Sequence, residues 1–232
     1  MTPFQEKQLA LMRQMESQLV SDPRASTIVP MQTDYWNDPQ IALTCISYVP
    51  KDIAKRIQTE LINPLKAIEP DFFYYPNDGL HITIQNVRVI HNPPSFTPKD
   101  VNRVQSVLGS MAPSARPFPF TYQGLLSMPT SVSLIALVTP AYDQFVRRLR
   151  ASLAAAGVPD DKTYFTDEII FANTTIIRYT HKPSELFIET LENLQHISVG
   201  TWTPKTVSLV TMNAVANPTK TTEYGRFPFR EI

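Results

Sequence analysis

The apolar positions of this chain change period several times, and each change marks an element. Residues 4–20 place Phe4, Leu11, Met12, Met15 and Leu19 at helical spacing, which predicts an amphipathic first helix. Two Asp-Pro steps in the polar segment SDPRASTIVPMQTDYWNDPQ end it, because proline lacks an amide donor and restricts the residue before it. From residue 41 the run IALTCISYV, rich in β-branched and aromatic residues, reads as a central strand. The next segment carries Ile53, Ile57, Leu61, Leu65 and Ile68 on one helical stripe. FFYYP and LHITIQNVRVI then read as two strands around an Asn-Asp-Gly turn, and TPKDVNRVQSVLGSMA as a helix.

The second half repeats this grammar. FPFTYQGLLSMP and SVSLIALVT predict strands, and PAYDQFVRRLRASLAAAG a helix closed by Gly157. EIIFANTTIIRYT reads as a strand, KPSELFIETLENLQ as a helix, TWTPKTVSLVTMNAV as one long strand and EYGRFPF as a last hairpin strand. No residue-level repeat is visible, only repetition of element order. The pattern points to an α+β fold of two antiparallel-rich lobes with helices outside. The boundaries expected are 1–40 for an N-terminal helix and extension, and 41–232 for the domain. Tyr35 and Trp36 in the extension either form a lid or base-stacking platform, or pin the extension onto the domain.

Composition narrows the function. Lys+Arg and Asp+Glu both number 21, so no global field favours a polyanion, and any phosphate-binding charge must be local. DNA is not an expected partner. The single cysteine, Cys45, lies in an apolar strand and reads as a buried thiol, compatible with a reducing compartment. The N-terminus carries charges throughout and reads as neither signal peptide nor membrane span, so a soluble, cytoplasmic protein, monomeric and without membrane association, is expected.

Chemistry is concentrated in two short motifs at equivalent places in the two halves. On a strand, His81, Thr83 and Gln85 share one face and Ile82 and Ile84 the other. An imidazole that titrates near neutrality beside a hydroxyl donor makes a minimal half-site for phosphate chemistry. Asn173 and Thr175 repeat the arrangement, with asparagine where a histidine would stand. Two such strands can bring both pairs to one cleft. Strict alternation sends Arg178 to the opposite face, leaving open a structural ion pair or a phosphate contact. His91, His181 and His196 read as loop residues outside the site, whereas Tyr74, Tyr75 and Tyr179 are candidates for its polar wall.

With these residues in view the chain resembles the 2H phosphoesterase superfamily, which includes 2′-5′ RNA ligase-like proteins and cyclic nucleotide phosphodiesterases. His81-Ile82-Thr83-Ile84 matches the first His-x-Thr-x motif, and Asn173-Thr174-Thr175-Ile176-Ile177-Arg178 resembles the second except at its first position. The resemblance covers roughly residues 41–230. It implies a bilobal fold of two pseudo-symmetric sheets around a central cleft, and a metal-free, cofactor-free acid/base mechanism on a 2′,3′-cyclic or 2′-5′-linked phosphate of a nucleotide or RNA end. It further implies His81, Thr83 and Thr175 as catalytic residues, with Asn173, Gln85, Arg178 and Tyr75 binding substrate. Asn173 cannot carry a proton near pH 7, and a lost acid/base partner typically costs on the order of 10²–10⁴ in rate. Three readings stay open: a slow enzyme, an enzyme with another proton carrier, or an impaired enzyme that binds a phosphorylated ligand.

Overall fold

A computed structural model describes residues 1–231. Helix α1 (Pro3–Ser21) leads through an irregular segment to β1 (Ile41–Tyr48). Then come α2 (Lys51–Ile57), a wide turn (Gln58–Ile62), α3 (Asn63–Ile68), β2 (Phe73–Tyr74) and β3 (His81–His91). Helix α4 (Pro98–Met111) precedes β4 (Phe120–Met128), β5 (Ser131–Leu137) and α5 (Pro140–Ala155). The chain continues with β6 (Asn173–Arg178), α6 (Glu185–Asn193), β7 (Ser198–Trp202), β8 (Thr206–Met212) and β9 (Thr222–Pro228).

The strands form two antiparallel sheets, ordered β3-β1-β8-β9 and β2-β6-β5-β4-β7. The expected α+β architecture is therefore present, but the halves exchange strands. The segment read as one strand over TWTPKTVSLVTMNAV is two: β7 pairs with β4 in the second sheet, and β8 pairs with β1 in the first. The break falls around Pro204, which has no amide hydrogen to give to a ladder. FFYYP likewise contributes only β2, which pairs with β6 in the other sheet, and Asn77–Gly79 is a 3₁₀ turn. The strand expected over EIIFANTTIIRYT begins only at Asn173.

Residues 51–68 keep their apolar stripe, with Ile53, Ile57, Leu61 and Leu65 buried, but the helix is not uniform. Pro64 would crowd a regular α-turn before it, and the helix widens there: the Asn63 amide bonds to the Gln58 carbonyl, five residues back. Two Thr-x-x-Gln/Asp capping boxes, Thr2 with Gln5 and Thr97 with Asp100, start α1 and α4.

Helix α1 covers one face of the second sheet, where Met12, Met15 and Leu19 pack with Leu126, Ile135 and Leu137. Gln8 fixes its register. This buried amide donates to the Ala136 carbonyl at 3.1 Å and accepts from the Val138 amide at 3.0 Å. Tyr35 is 1% exposed and donates its hydroxyl to the Tyr179 carbonyl at 3.0 Å, while Trp36 stacks on Phe73. The aromatic pair thus pins the extension to the domain. No helix among the described residues is long and apolar enough to cross a membrane.

Replacing Gln8 with Ala leaves two buried backbone groups unpaired. It is expected to lower stability by about 1–3 kcal/mol, read from urea or thermal unfolding. Gln8→Glu, which keeps an acceptor for Val138 but loses the donor to Ala136, should also destabilise.

Candidate functional site

The motif strands β3 and β6 belong to different sheets yet pack against each other. Between them lies a cavity of about 270 Å³ whose lining includes His81, Thr83, Asn173 and Thr175. The structure therefore brings together the four side chains singled out by alternation.

On β3, the Asn77–Gly79 turn places the Gly79 carbonyl 2.8 Å from Nδ1 of His81. A carbonyl only accepts, so Nδ1 holds the proton of the neutral ring and Nε2 carries the lone pair. Burial lowers the His81 pKa below its usual value; the positive charge of Arg178 acts in the same direction, and the Gly79 carbonyl opposes both. The ring is thereby held neutral and competent to accept a proton.

On β6, Asn173 donates its amide to Oγ of Ser133 at 3.0 Å, and Ser133 donates to Oγ1 of Thr175 at 3.2 Å. Ser133 is the cross-strand partner of Thr175 on β5. The relay uses the Ser133 proton and leaves the Thr175 hydroxyl proton available for a ligand. Nothing in it titrates near neutrality.

Arg178 departs from the alternation expected of it. The β5–β6 register runs Ser133↔Thr175, then Val132↔Ile177 and Ser131↔Arg178, so Ile176 is an extra residue in a bulge. One inserted residue reverses the parity beyond it and turns Arg178 to the cavity side. Among the described residues no carboxylate pairs with it. Its Nε donates instead to the Tyr75 hydroxyl at 3.0 Å and the Ala214 carbonyl at 2.9 Å, while its Nη atoms make no hydrogen bond there.

Two other expected ligand contacts are differently placed. Tyr75 is 2% exposed and absent from the cavity lining; its hydroxyl donates to Ala214 and accepts from Arg178, so it supports the guanidinium from behind. Gln85 lines the cavity but lies past a register shift in the β1–β3 ladder and is 2% exposed, not at a rim. Its Nε2 donates to Asp160 at 2.8 Å and to the Tyr164 hydroxyl at 3.0 Å, and its Oε1 accepts from Arg150 at 3.3 Å. Its amide nitrogen is thus engaged by these neighbours. His91, His181 and His196 do not line the cavity, and burial pushes the Cys45 thiol up to about 12.

Four lining or supporting residues carried no motif signal. Arg150 on α5 pairs with Asp160 at 3.4 Å and stacks over the Tyr164 ring at 3.9 Å, with Lys162 alongside. The only hint was compositional, an Arg-rich helix and a charged, aromatic stretch before the second motif. The extension also contributes a wall. Ser26–Val29 and Met15 line the cavity, and the strap is clipped to the segment after α5: the Thr27 amide donates to the Thr163 carbonyl at 3.0 Å, and the Thr163 amide to Oγ1 of Thr27 at 2.8 Å.

No protein-family model matches the chain, and no curated protein sequence does. Solved structures do. A protein described as a phosphoesterase superposes with a TM-score of 0.59 at 13% identity, covering 84% of this chain and 100% of the other. Escherichia coli LigT in complex with ATP gives 0.57 at 12%, covering 83% and 99%, and a protein of Thermus thermophilus gives 0.58 at 15%, covering 82% and 98%. The chain shares the fold of these proteins. Within it His81 and Thr83 stand on β3, and Asn173 and Thr175 on β6.

Because the folded-state pKa of His81 is depressed, the unfolded chain binds more protons between that value and about 6.5. The resulting stabilisation is fully present above about pH 6.5 and is lost as pH falls through the folded value. NMR titration of His81 should give a midpoint below the ordinary histidine value of about 6.5, and His81→Gln should flatten the acid side of the stability–pH curve.

Proposed function

We propose that this cleft binds the phosphate of a nucleotide or RNA end between its two half-sites and opens a 2′,3′-cyclic or 2′-5′-linked phosphodiester without metal, with His81 as general base. The observation carrying this is the neutral His81 ring, protonated at Nδ1 by its bond to Gly79, in one cavity with Thr83, Thr175 and Arg178. In this reading the Thr83 and Thr175 hydroxyls and the free Nη atoms of Arg178 hold the non-bridging oxygens. Asn173 contributes binding geometry rather than a proton. Structures of LigT with ATP, 3′-AMP, NADP+ and phosphate support a nucleotide phosphate as the ligand class. Residues 41–232 would form the phosphoesterase-like domain, with residues 1–40 as an added wall.

A second reading is a phosphate-binding protein with little turnover. The Asn173–Ser133–Thr175 relay favours it, since it fills the place of the second imidazole with groups that cannot exchange a proton at neutral pH.

Turnover of 2′,3′-cyclic AMP by wild type, His81→Ala and Asn173→His separates the two. The enzyme reading expects measurable wild-type turnover that falls by about 10²–10⁴ in His81→Ala. Activity confined to Asn173→His would instead establish the binding reading.

A further inference from the structure

The second half-site lacks a proton carrier, but the wall beside it does not lack a charged group. Tyr75 lies between the two motif strands' ends: its amide bonds to the Ile176 carbonyl, its ring centroid is 6.4 Å from that of His81, and its hydroxyl meets Arg178. The start of β3 thus lies by the end of β6, so Asn173 at the start of β6 and Gln85 further along β3 both lie away from that junction, and both line the cavity. Gln85 donates to the Tyr164 hydroxyl, and the Lys162 ammonium lies 5.6 Å from the Tyr164 ring.

Lys162 lines the cavity, and among the described residues it makes neither an ion pair nor a hydrogen bond. The one carboxylate nearby, Asp160, is already engaged by Arg150 and by the Gln85 amide. The other charged or titratable groups acting on it are Arg150 on α5 and, on its own segment, the Tyr164 phenol, which burial pushes up to about 12; His81 and Arg178 line the same cavity. A partly desolvated ammonium without a counter-ion is costly, and an anion entering the cavity offsets that cost. Burial, and then the Arg150 charge, lower the Lys162 pKa, with Asp160 opposing, so the ammonium gives up its proton more readily than an exposed lysine.

Resting on the phosphoesterase reading above, we propose that Lys162 takes the place of the absent second imidazole, holding the phosphate at the Asn173 end and protonating the departing oxygen. Water attacks the phosphorus of the 2′,3′-cyclic phosphate and gives its proton to Nε2 of His81. The bond from phosphorus to one ribose oxygen breaks with its electron pair on that oxygen, which takes a proton from Nζ of Lys162. The product is a ribose monophosphate, and the imidazolium and neutral amine return to their starting states by proton exchange with water.

The test compares Lys162→Arg and Lys162→Met in the wild-type and Asn173→His backgrounds, reading 2′,3′-cyclic AMP turnover against pH and 3′-AMP affinity by calorimetry. Arginine keeps the charge but does not release a proton at these pH values. Lys162→Arg is expected to hold 3′-AMP within about threefold of wild type while kcat falls by about 10², with loss of the basic limb of the kcat profile. Lys162→Met should lose both affinity and kcat. In the Asn173→His background an imidazole again supplies the proton, and Lys162→Arg should cost less than about threefold in kcat. His81-dependent turnover that is indifferent to residue 162, or full kcat in Lys162→Arg, overturns the assignment of Lys162 alone. A wild-type protein without His81-dependent turnover overturns it together with the phosphoesterase reading.

Discussion

A guanidinium buried between two sheets sets the terms for the rest of this molecule. Arg178 is 9% exposed and has no carboxylate partner among the described residues. Its Nε reaches out of the second sheet to the Ala214 carbonyl, just past the β8 strand of the first, and to the Tyr75 hydroxyl. Burying a charge this way is unfavourable unless hydrogen bonds compensate. Here the Nε bonds do so in part, and Arg178 lines the cavity with its Nη atoms unbonded among the described residues. The arrangement ties the two sheets together near the ends of the motif strands and helps keep His81 neutral.

The two half-sites built around this charge are related in geometry and unequal in chemistry. On β3 a turn carbonyl fixes the imidazole tautomer, so one nitrogen is left to accept a proton. On β6 an amide and two hydroxyls form a relay that orients donors but cannot titrate. Two cations lining the cleft come from outside the motif strands, Arg150 from α5 and Lys162 from the segment that follows it. That segment is clipped to the strap from the N-terminal extension, so residues remote from the motifs in sequence also line the cavity.

Much of this was legible from alternation and much was not, for a physical reason in each case. His81 with Thr83, and Asn173 with Thr175, sit within undisturbed stretches of strand, and a period of two places such pairs correctly. Arg178 and Gln85 lie beyond register shifts, which leave no mark in a single sequence yet reverse or dislocate the faces that follow them. The element order was readable, but the exchange of β2 and β8 between sheets depends on long-range pairing that local patterns do not encode. Tyr75 looked like a wall residue because it is polar and close to the motif; its hydroxyl in fact serves Arg178. Lys162 and Arg150 were invisible because their relation to the site exists only in three dimensions, as the 65-residue separation of Arg150 from Gln85 shows.

A crystal structure of the protein grown with adenosine 3′-monophosphate tests whether an anion binds between the two motif strands. The phosphate is expected in the cavity, with its oxygens in hydrogen-bond reach of the Thr83 and Thr175 hydroxyls, an Nη of Arg178 and Nε2 of His81. A nucleotide bound elsewhere on the protein, with the cavity between His81 and Asn173 holding only water, would contradict it.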